Sequence, residues 1–478
     1  MEPIFEFPIE LPPAGSRDLV RSLHQQLRDA ILDGRLKPDL RLPPTRALAE
    51  GLGVSRNTAV AVYDMLLSEG YVEGRAGSGT YVADVRPRLE RPKAPDRKPE
   101  DDTRLAPFWR GKPPPEFSPN ARPPAFDFLS GYPDTTEFPF DIWNRLSGRA
   151  ARALARQPAE AGDPAGEPGL RDAIANHISF ARAVACSGDD IVVTAGARQA
   201  FDLLARVLVT PGQTEVALED PGYAPTRKAF AAAGARIAPI PVDEDGLIVE
   251  RIPPSVRVVC VTPSHQFPMG VTLSAKRRAA LLDFAETFGA SIIEDDYDSE
   301  FRLGGRPLDA LQTLDRNGRV FYVGTFSKSM FPALRMGFVT VPDWAKPAVT
   351  GARHLTDWHA PSLTQQALTD FITEGHLARH VRKMRREYAA RHETLTAALS
   401  HFHGGRMRVL EAHAGVHLSA VTDSGQEAEA ISRRAAERSI RIDTLGAYSR
   451  RDDAPAGLVF GYGLIRRERI EEAVARLA

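Results

Sequence analysis

A proline-rich segment divides the chain and most constrains how it can fold. Between residues 86 and 125, 11 of 40 residues are proline and few are large and apolar. Such a segment is stiff and cannot build a core, so it predicts a semi-extended linker. A chain of 478 residues also exceeds one ordinary core. We therefore predict a small domain over 1–85, the linker over 86–125 and a large domain over 126–478.

Composition excludes several classes of protein. A hydrophobic content of 43% and a charged content of 26% are typical of a globular chain. No apolar run approaches the length of a membrane helix, and the first residues hold acids and prolines, unlike a signal peptide. We predict a cytoplasmic protein that does not enter a membrane. Cys186 and Cys260 lack C-x-x-C spacing, which argues against disulfides and cysteine zinc sites, and we predict no metal.

The segment before the linker has the pattern of a helix-turn-helix. A first amphipathic helix ends at Gly34, and a short helix over about 44–52 leads into a turn through Gly53. Ser55 is then a suitable N-cap for a second helix that ends at Gly70. The inner face of that helix is predicted to carry Ala59, Val62, Tyr63, Leu66 and Leu67.

A hairpin is predicted next, in the stretch YVEGRAGSGTYVA, where two strand-like pieces flank a glycine-rich tip. A helix-turn-helix followed by a hairpin is a winged helix. The net charge of the chain is -1, so DNA binding has to be argued from position. Arg46, Arg56 and Arg75 fall on the first helix, at the start of the recognition helix and at the wing tip. The alternative is a small helical module without a role on DNA.

The large domain alternates strand-like and helical runs, which predicts an α/β fold with a mostly parallel sheet. The predicted strands are DIVVTAG, TEVALED, VRVVCVTP, ASIIEDDYD and RVFYVGTFS, and the predicted helices include ARQAFDLLARVL and AKRRAALLDFAETFG. Ligands of such sheets bind beyond the carboxyl ends of the strands.

Several polar and aromatic residues fall at those strand ends. Ala197 and Arg198 open a helix, so their N–H groups could hold a phosphate. Tyr223 lies on a glycine-containing loop and could stack on a flat ring. The acids at 294–296 stand together, so a cation or a hydrogen-bond donor is expected nearby. The alternative is a metal site at these acids. His265 is the one histidine near a strand end that could join them as a ligand.

Lys328 follows a buried strand, between Thr325 and Ser327 on one side and Arg335 on the other. An arbitrary lysine is usually a surface residue. A lysine that is desolvated beside an arginine instead loses proton affinity and can form a Schiff base with an aldehyde. The hydroxyls and the arginine could hold a phosphate. Together these groups point to pyridoxal 5'-phosphate (PLP).

The small domain resembles the GntR family of bacterial winged-helix regulators in the stretch LPPTRALAEGLGVSRNTAV. The resemblance implies double-stranded DNA as a partner. The residues that it places at the DNA are Arg46, Ser55, Arg56, Asn57, Thr58, Arg75, Gly77, Gly79 and Thr80.

The rest of the chain resembles fold-type I PLP-dependent aminotransferases, with a smaller C-terminal α/β subdomain. The stretches GTFSKSMFPALRMGF, EDDYDSEF and VTPSHQFPMG resemble those of the MocR family, which joins a GntR-like winged helix to an aminotransferase-like domain. This resemblance implies an internal aldimine at Lys328, Asp295 on the pyridine nitrogen, Tyr297 on the ring hydroxyl and Tyr223 against the ring. The implied phosphate site consists of Ala197, Arg198, Thr325, Ser327 and Arg335.

Two departures bear on activity. Many aminotransferases have Asn-Pro-Thr-Gly where this chain has HQFPMG, and many have a carboxylate-binding arginine where the stretch GLVFGYG offers Val459. Either Arg441 or Arg450 replaces that arginine, or the ligand is not an ordinary α-amino acid.

The predicted function is transcription regulation, in which PLP on Lys328, alone or as an external aldimine with a small amine, controls operator binding. At most residual transaminase activity is expected. The alternative is an aminotransferase with an accessory winged helix. The resemblance also implies a homodimer, with or without exchanged winged helices. The effectors that it implies are γ-aminobutyrate, taurine, another amine or PLP itself.

Overall fold

The computed structural model describes residues 4–13, 16, 18–85, 102–110, 123–156, 162–304 and 309–477. Two compact units make up the chain, Met1–Asp102 and Thr103–Ala478. Their division falls inside the predicted linker, most of which lies outside the described residues. The predicted domain limits therefore stay predictions. Of the helices in the described ranges, none is long and apolar enough to cross a membrane.

The N-terminal unit is a winged helix-turn-helix. Its elements are α1 (Leu19–Leu32), α2 (Thr45–Leu52), α3 (Arg56–Ser68), β1 (Val72–Arg75) and β2 (Gly79–Val82). Gly53 ends α2 with a φ of 66°, a left-handed conformation that glycine adopts at little cost. Ser55 Oγ accepts a hydrogen bond from the N–H of Thr58 at 3.0 Å, as expected for the N-cap of α3. The strands pair in antiparallel register as the predicted wing.

The core of this unit confirms most of the predicted inner face of α3. Ala59, Val62, Tyr63 and Leu66 are buried and pack in one cluster with residues of α1 and α2. The prediction for Leu67 was wrong, because its side chain is 39% exposed. It lies next to Leu66 on the helix, where a rotation of about 100° per residue carries it out of the buried stripe.

An eight-stranded sheet forms the centre of the second unit. Its strands are β4 (Ile191–Thr194), β5 (Glu215–Asp220), β6 (Arg236–Asp243), β7 (Gly246–Leu247), β8 (Val256–Val261), β9 (Ser291–Asp296), β10 (Val320–Thr325) and β11 (Gly337–Thr340). The spatial order is β4-β11-β10-β9-β8-β5-β6-β7, and β7 and β11 run antiparallel to their neighbours. The sheet is therefore mostly parallel, as predicted.

Helices cover this sheet and build a smaller C-terminal layer. They are α4 (Phe140–Leu154), α5 (Pro168–Arg182), α6 (Ala197–Leu208), α7 (Ala224–Ala232), α8 (Ala275–Phe288), α9 (Leu311–Leu314), α10 (Lys346–Asp357), α11 (Ser362–Thr373), α12 (His376–His403), α13 (Gly425–Glu437) and α14 (Arg467–Ala475). Alternate residues of β8 pack against opposite faces, since Val258 joins the cluster of α6 and Val259 joins that of α8. Both faces of the sheet are thus covered.

A second, smaller sheet completes the C-terminal subdomain. It contains β12 (Arg408–Val409), β13 (His417–Val421), β15 (Asp443–Thr444) and β16 (Gly457–Gly461) in the order β12-β13-β16-β15. A separate pair joins β14 (Ile440–Arg441) to β3 (Phe126–Asp127), which is the first strand after the predicted linker. The start of the large domain is thereby tied to its C-terminal part.

Candidate functional site

A cleft of about 740 Å³ opens at the carboxyl ends of the central strands. The sequence predicted nine cofactor-binding residues, and the structure brings all of them to this cleft. They are Ala197, Arg198, Tyr223, Asp295, Tyr297, Thr325, Ser327, Lys328 and Arg335. The loops that carry them follow different strands, so only the parallel sheet places them together. Their roles toward a ligand stay predictions.

Lys328 reaches into the cleft from the turn that follows β10. Its Nζ donates a hydrogen bond to the carbonyl of Gly131. Burial lowers the pKa of Lys328, and the nearby cations Arg198 and Arg335 lower it further, against the opposing effect of Asp298 and Asp295. A lysine that loses its proton more readily is a better nucleophile toward a carbonyl carbon.

The acidic residues at the end of β9 have three different environments. Glu294 accepts hydrogen bonds from the N–H groups of Leu311 and Gln312, both at 2.9 Å. Asp296 accepts from Arg182 Nε and from Tyr322 OH, both at 2.7 Å. These two carboxylates are therefore part of the framework of the fold, and the cation predicted near the acids is Arg182.

Asp295 is the member of this group that lines the cleft. Its Oδ1 is buried and has no hydrogen-bond partner among the residues that the structure describes. Burial and the neighbouring charge of Asp296 raise the pKa of Asp295 to about 8. A buried carboxylate oxygen without a donor is costly, so this oxygen is available to a positively charged or N–H-bearing group of a ligand.

One end of the cleft carries the groups that can hold a phosphate. Gly196 caps α6 with a φ of 81°, and the first N–H groups of a helix are not used by the helix itself. Arg335 Nη2 donates to the carbonyl of Ala195 at 2.6 Å, which fixes the guanidinium beside that helix start. Thr325 Oγ1 and Ser327 Oγ lie 3.1 Å apart on the same side.

Aromatic side chains bound the rest of the cleft. The Tyr223 ring lies edge-on to Phe267 at 5.8 Å, and Phe267 lies edge-on to Tyr448 at 4.9 Å. The hydroxyl of Tyr297 is 3.1 Å from Nδ1 of His265. These rings give the cleft flat walls beside its charged and hydroxyl groups, a combination that is common in ligand sites.

A buried group beside Tyr297 has the composition of a metal site. The potential ligand atoms of His265, Asp298 and His417 all lie within 4.8 Å of one another. Hydrogen bonds already engage this group, since Asp298 contacts His265 Nδ1 at 3.0 Å and accepts from the N–H of Val416 at 3.1 Å. The carboxylate is thus oriented by hydrogen bonds with the protein.

The predicted DNA-binding residues lie on two parts of the winged helix. Arg46, Arg56 and Asn57 are exposed on α2 and at the start of α3. Ser55 and Thr58 bond to each other through their hydroxyl oxygens at 2.9 Å and so hold the N-terminus of α3. At the wing, Gly77 lies in the tip turn with a φ of 73°, and Gly79, with a φ of 116°, begins β2 and precedes Thr80.

Arg75 at the wing is already engaged within the unit. Its guanidinium pairs with Asp39 and with Glu73. It also lies over the ring of Tyr81 at 4.4 Å. Arg75 is therefore less available to a phosphate than Arg56. Arg41, which the sequence analysis did not select, lies against the tip at Gly79 and is exposed.

Comparison with known proteins identifies both units. Residues 19–82 match the gntR family of bacterial regulatory proteins, and residues 137–446 match aminotransferase class I and II. The chain is 38% identical over 469 residues to the probable rhizopine catabolism regulatory protein MocR of Rhizobium meliloti, covering 96% of this chain and 92% of that protein. The chain belongs to the MocR family of transcription regulators.

Other relatives fit this family assignment. The pyridoxine biosynthesis transcriptional regulator PdxR of Corynebacterium glutamicum is 31% identical over 458 residues, with 96% of this chain and 95% of that protein covered. Among solved structures, a Pyrococcus horikoshii kynurenine aminotransferase is similar with a TM-score of 0.68 and 25% identity, over 74% of this chain and 89% of that chain. The α-aminoadipate aminotransferase LysN of Thermus thermophilus is similar with a TM-score of 0.67 and 26% identity, over 74% of this chain and 90% of that chain. The chain is thus a MocR-type regulator with an aminotransferase-like domain.

The departures noted in the sequence have structural counterparts in this MocR regulator. Val459 is fully buried on β16, so its position offers no group that binds a carboxylate. Arg441 Nε donates to Asp127 at 2.9 Å, which engages one of the two alternative arginines. Arg450, the other, lines a smaller cavity next to the cleft.

Sequence reasoning missed three parts of the site. The loop of Gly131 and Tyr132 contributes to the cleft from just beyond the predicted linker. Phe267 and Tyr448 supply two of its walls. The signal for the loop of Gly131 and Tyr132 was glycine beside tyrosine in the stretch LSGYPD. Phe267 and Tyr448 come from distant parts of the chain, and no local pattern indicated that they would meet.

Proposed function

We propose that PLP, bound in this cleft, controls operator binding by the winged helix of this MocR regulator. The observation that carries the proposal is the buried Oδ1 of Asp295, which has no hydrogen-bond partner within the described ranges and belongs to a cleft that also holds Lys328. PLP has a ring nitrogen that a carboxylate stabilises in its protonated form and an aldehyde that a lysine can bind. The donor set of the cleft therefore suits this cofactor.

Each predicted residue has a role that its position supports. Lys328 would bind the cofactor covalently, Asp295 would pair with the ring nitrogen and Tyr297 with the ring hydroxyl. Tyr223 would pack against the ring. The phosphate would be held by the helix start at Ala197 and Arg198 and by Thr325, Ser327 and Arg335.

When bound, PLP supplies an electrophilic carbon to which a primary amine can attach. An effector amine would compete with Lys328 for that carbon, and PLP itself could serve as the effector by its presence. A ligand shifts a regulator only if it contacts two states differently. The Lys328 bond to the carbonyl of Gly131, just beyond the predicted linker, offers such a contact, because it depends on the state of the lysine.

We propose at most residual transaminase activity, since the buried Val459 gives no carboxylate clamp at its position. Sustained turnover of amino donors with 2-oxoacids would favour the alternative, an enzyme with an accessory winged helix. A homodimer, with or without exchanged winged helices, is part of the proposal, and light scattering tests whether the chain is a dimer. The cytoplasm, where operator DNA is found, is the proposed location.

A mobility-shift experiment tests the regulatory proposal. The full chain is incubated with DNA flanking its own gene at moderate salt, without PLP, with PLP, and with PLP plus γ-aminobutyrate or taurine. The proposal predicts a specific complex whose affinity changes with PLP or with an amine, and no such change in Lys328→Ala. An affinity that is the same under all conditions contradicts control by the cleft.

A further inference from the structure

A second cavity, of about 220 Å³, adjoins the cofactor cleft. Tyr223 and Asp295 line both spaces, so the two share a wall. Leu218 and Phe201 give the smaller cavity an apolar lining. Its charged residues come from the ends of β5 and β9, from α7 and from the loop before β16.

Two arginines, Arg227 and Arg450, line this cavity. Within the described part of the chain, neither guanidinium has a hydrogen-bond or ion-pair partner, in contrast to the adjacent Arg451, which pairs with Asp453. Burial and the like charge of Arg450 lower the pKa of Arg227, with Asp220 opposing the effect. The two cations therefore lie close enough to repel each other, and a shared anion would relieve that repulsion.

The structure holds the two arginines on the same cavity. Asp220, at the end of β5, accepts hydrogen bonds from Ser449 Oγ and from the backbone N–H of Arg450, the latter at 3.0 Å. The N–H of Gly222 donates to the carbonyl of Tyr448 at 3.1 Å. These bonds fasten the loop of Arg450 to the loop that leads into α7, which carries Arg227.

The carboxylates of the cavity do not supply the missing partner. Asp220 is occupied by the loop that it fastens. Glu219 accepts from Thr262 Oγ1 at 2.5 Å, and burial raises its pKa to about 7, so at neutral pH it carries only part of its charge. The pKa of Asp295 is likewise raised, to about 8, so its carboxyl group is mostly protonated at neutral pH.

We propose that Arg227 and Arg450 form an anion-binding subsite that takes the carboxylate or sulfonate group of a small effector. The assignment to an effector rests on the proposed function, whereas binding of the anion does not require PLP. Arginine pairs bind oxyanions through several charge-assisted hydrogen bonds, and the exposed Arg450 leaves this pair open to an anion from solvent. The shared wall at Tyr223 places an acid bound there beside the cleft of Lys328, which suits an amine that also carries an acidic group.

Isothermal titration calorimetry of the full, PLP-treated chain tests this subsite. The probe is ethanesulfonate, which has no amine and cannot react with the cofactor, and dimethyl sulfone is its uncharged counterpart. The variants are Arg227→Gln, Arg450→Gln and the double variant. Arg451→Gln is the matched control, because it removes a charge from the same loop without removing a cavity residue. Thermal melting checks that every variant is folded.

The proposal predicts that ethanesulfonate binds wild type and Arg451→Gln, and that each single cavity variant binds it about tenfold more weakly. The sulfone should not bind. Equal affinity in wild type and the double variant, or no binding to wild type, would overturn the subsite. Lys328→Ala should retain anion binding, and loss of binding there would place the anion in the cofactor cleft instead. A chain that binds the anion but shows no PLP absorption band would instead contradict the proposed function alone.

Discussion

Asp295 and Asp296 are neighbours on β9 whose carboxylates have opposite environments. Asp296 accepts hydrogen bonds from Arg182 and Tyr322, whereas the buried Oδ1 of Asp295 has no partner in the described part of the chain. Successive side chains of a strand point to opposite faces, which separates the two acids. Although burial acts to raise the pKa of Asp296, Arg182 holds it below its usual value, while burial and Asp296 raise that of Asp295. One carboxylate stabilises the fold and the other is left for a ligand.

Substituting the two acids in turn should separate these roles. Asp296→Asn removes the carboxylate charge that pairs with the buried Arg182, so we expect a loss of about 3 kcal/mol in the free energy of unfolding, measured by urea denaturation. Asp295→Asn should unfold at the same urea concentration as wild type or at a higher one. It should also bind PLP more weakly, which is measured by absorbance. A strong loss of stability in Asp295→Asn with unchanged PLP affinity would contradict the division of roles.

The stability of the cofactor-free chain should depend on pH through Asp295. Its pKa in the folded chain is about 8, against an ordinary value of 3.8. Because the folded state keeps a proton that the unfolded state has lost, the stabilising contribution is complete at low pH and disappears as the pH rises through this interval. Urea denaturation across the interval should therefore show falling stability. The pKa values of Glu219 and Glu294 are also raised, so they contribute to the same decline in stability. The contribution of Asp295 is the part of the decline that is missing in Asp295→Asn.

Gly196→Ala should damage the phosphate-binding end of the cleft. The conformation at Gly196 is left-handed, and an added Cβ would lie 3.1 Å from Arg335 Nη2. We expect PLP affinity to fall about tenfold as the guanidinium is displaced. Gly212→Ala is the control for adding a side chain at positive φ, since its φ is 74° while nothing lies within 4 Å of the new atom. Equal PLP affinity in the two variants would argue against this location of the phosphate.

Arg56→Ala should weaken operator binding without changing PLP binding. Arg56 is exposed at the start of α3 and sits one residue after the N-cap. Loss of a phosphate or base contact is expected to cost about tenfold or more in affinity, measured by mobility shift at fixed salt. The matched control is Arg35→Ala, because that exposed arginine pairs with Asp33 in the same unit. An equal loss of DNA affinity in Arg56→Ala and Arg35→Ala would mean that only the net charge of the unit matters, which would contradict a specific contact by Arg56.

Much of the fold could be predicted from the sequence because its pattern is local. The five predicted strands appear as β4, β5, β8, β9 and β10, and the two quoted helices appear as α6 and α8. Strand β6 was missed because Pro239 and Pro241 interrupt its pattern. Proline cannot donate to a sheet ladder, and β6 accommodates it because its outer neighbour, β7, is only two residues long.

The candidate site could be assembled in part because parallel strands end at one edge of a sheet. That rule brings Lys328, Asp295 and Tyr223 together without any knowledge of distances. The distribution of partners among the acids could not be predicted, because Arg182 lies more than a hundred residues before Asp296. The hydrogen bond from the backbone N–H of Arg450 to Asp220 could not be predicted either, because these two residues are also far apart in the sequence.

The absorption spectrum of the purified chain with PLP tests the central claim most directly. We predict a visible band in wild type that is absent in Lys328→Ala and in Lys328→Arg, while the folded state of both variants is preserved as judged by circular dichroism. Addition of γ-aminobutyrate, taurine or another effector amine should shift that band. Absence of the band in wild type, or the same band in Lys328→Ala, would contradict the proposal that Lys328 binds the cofactor.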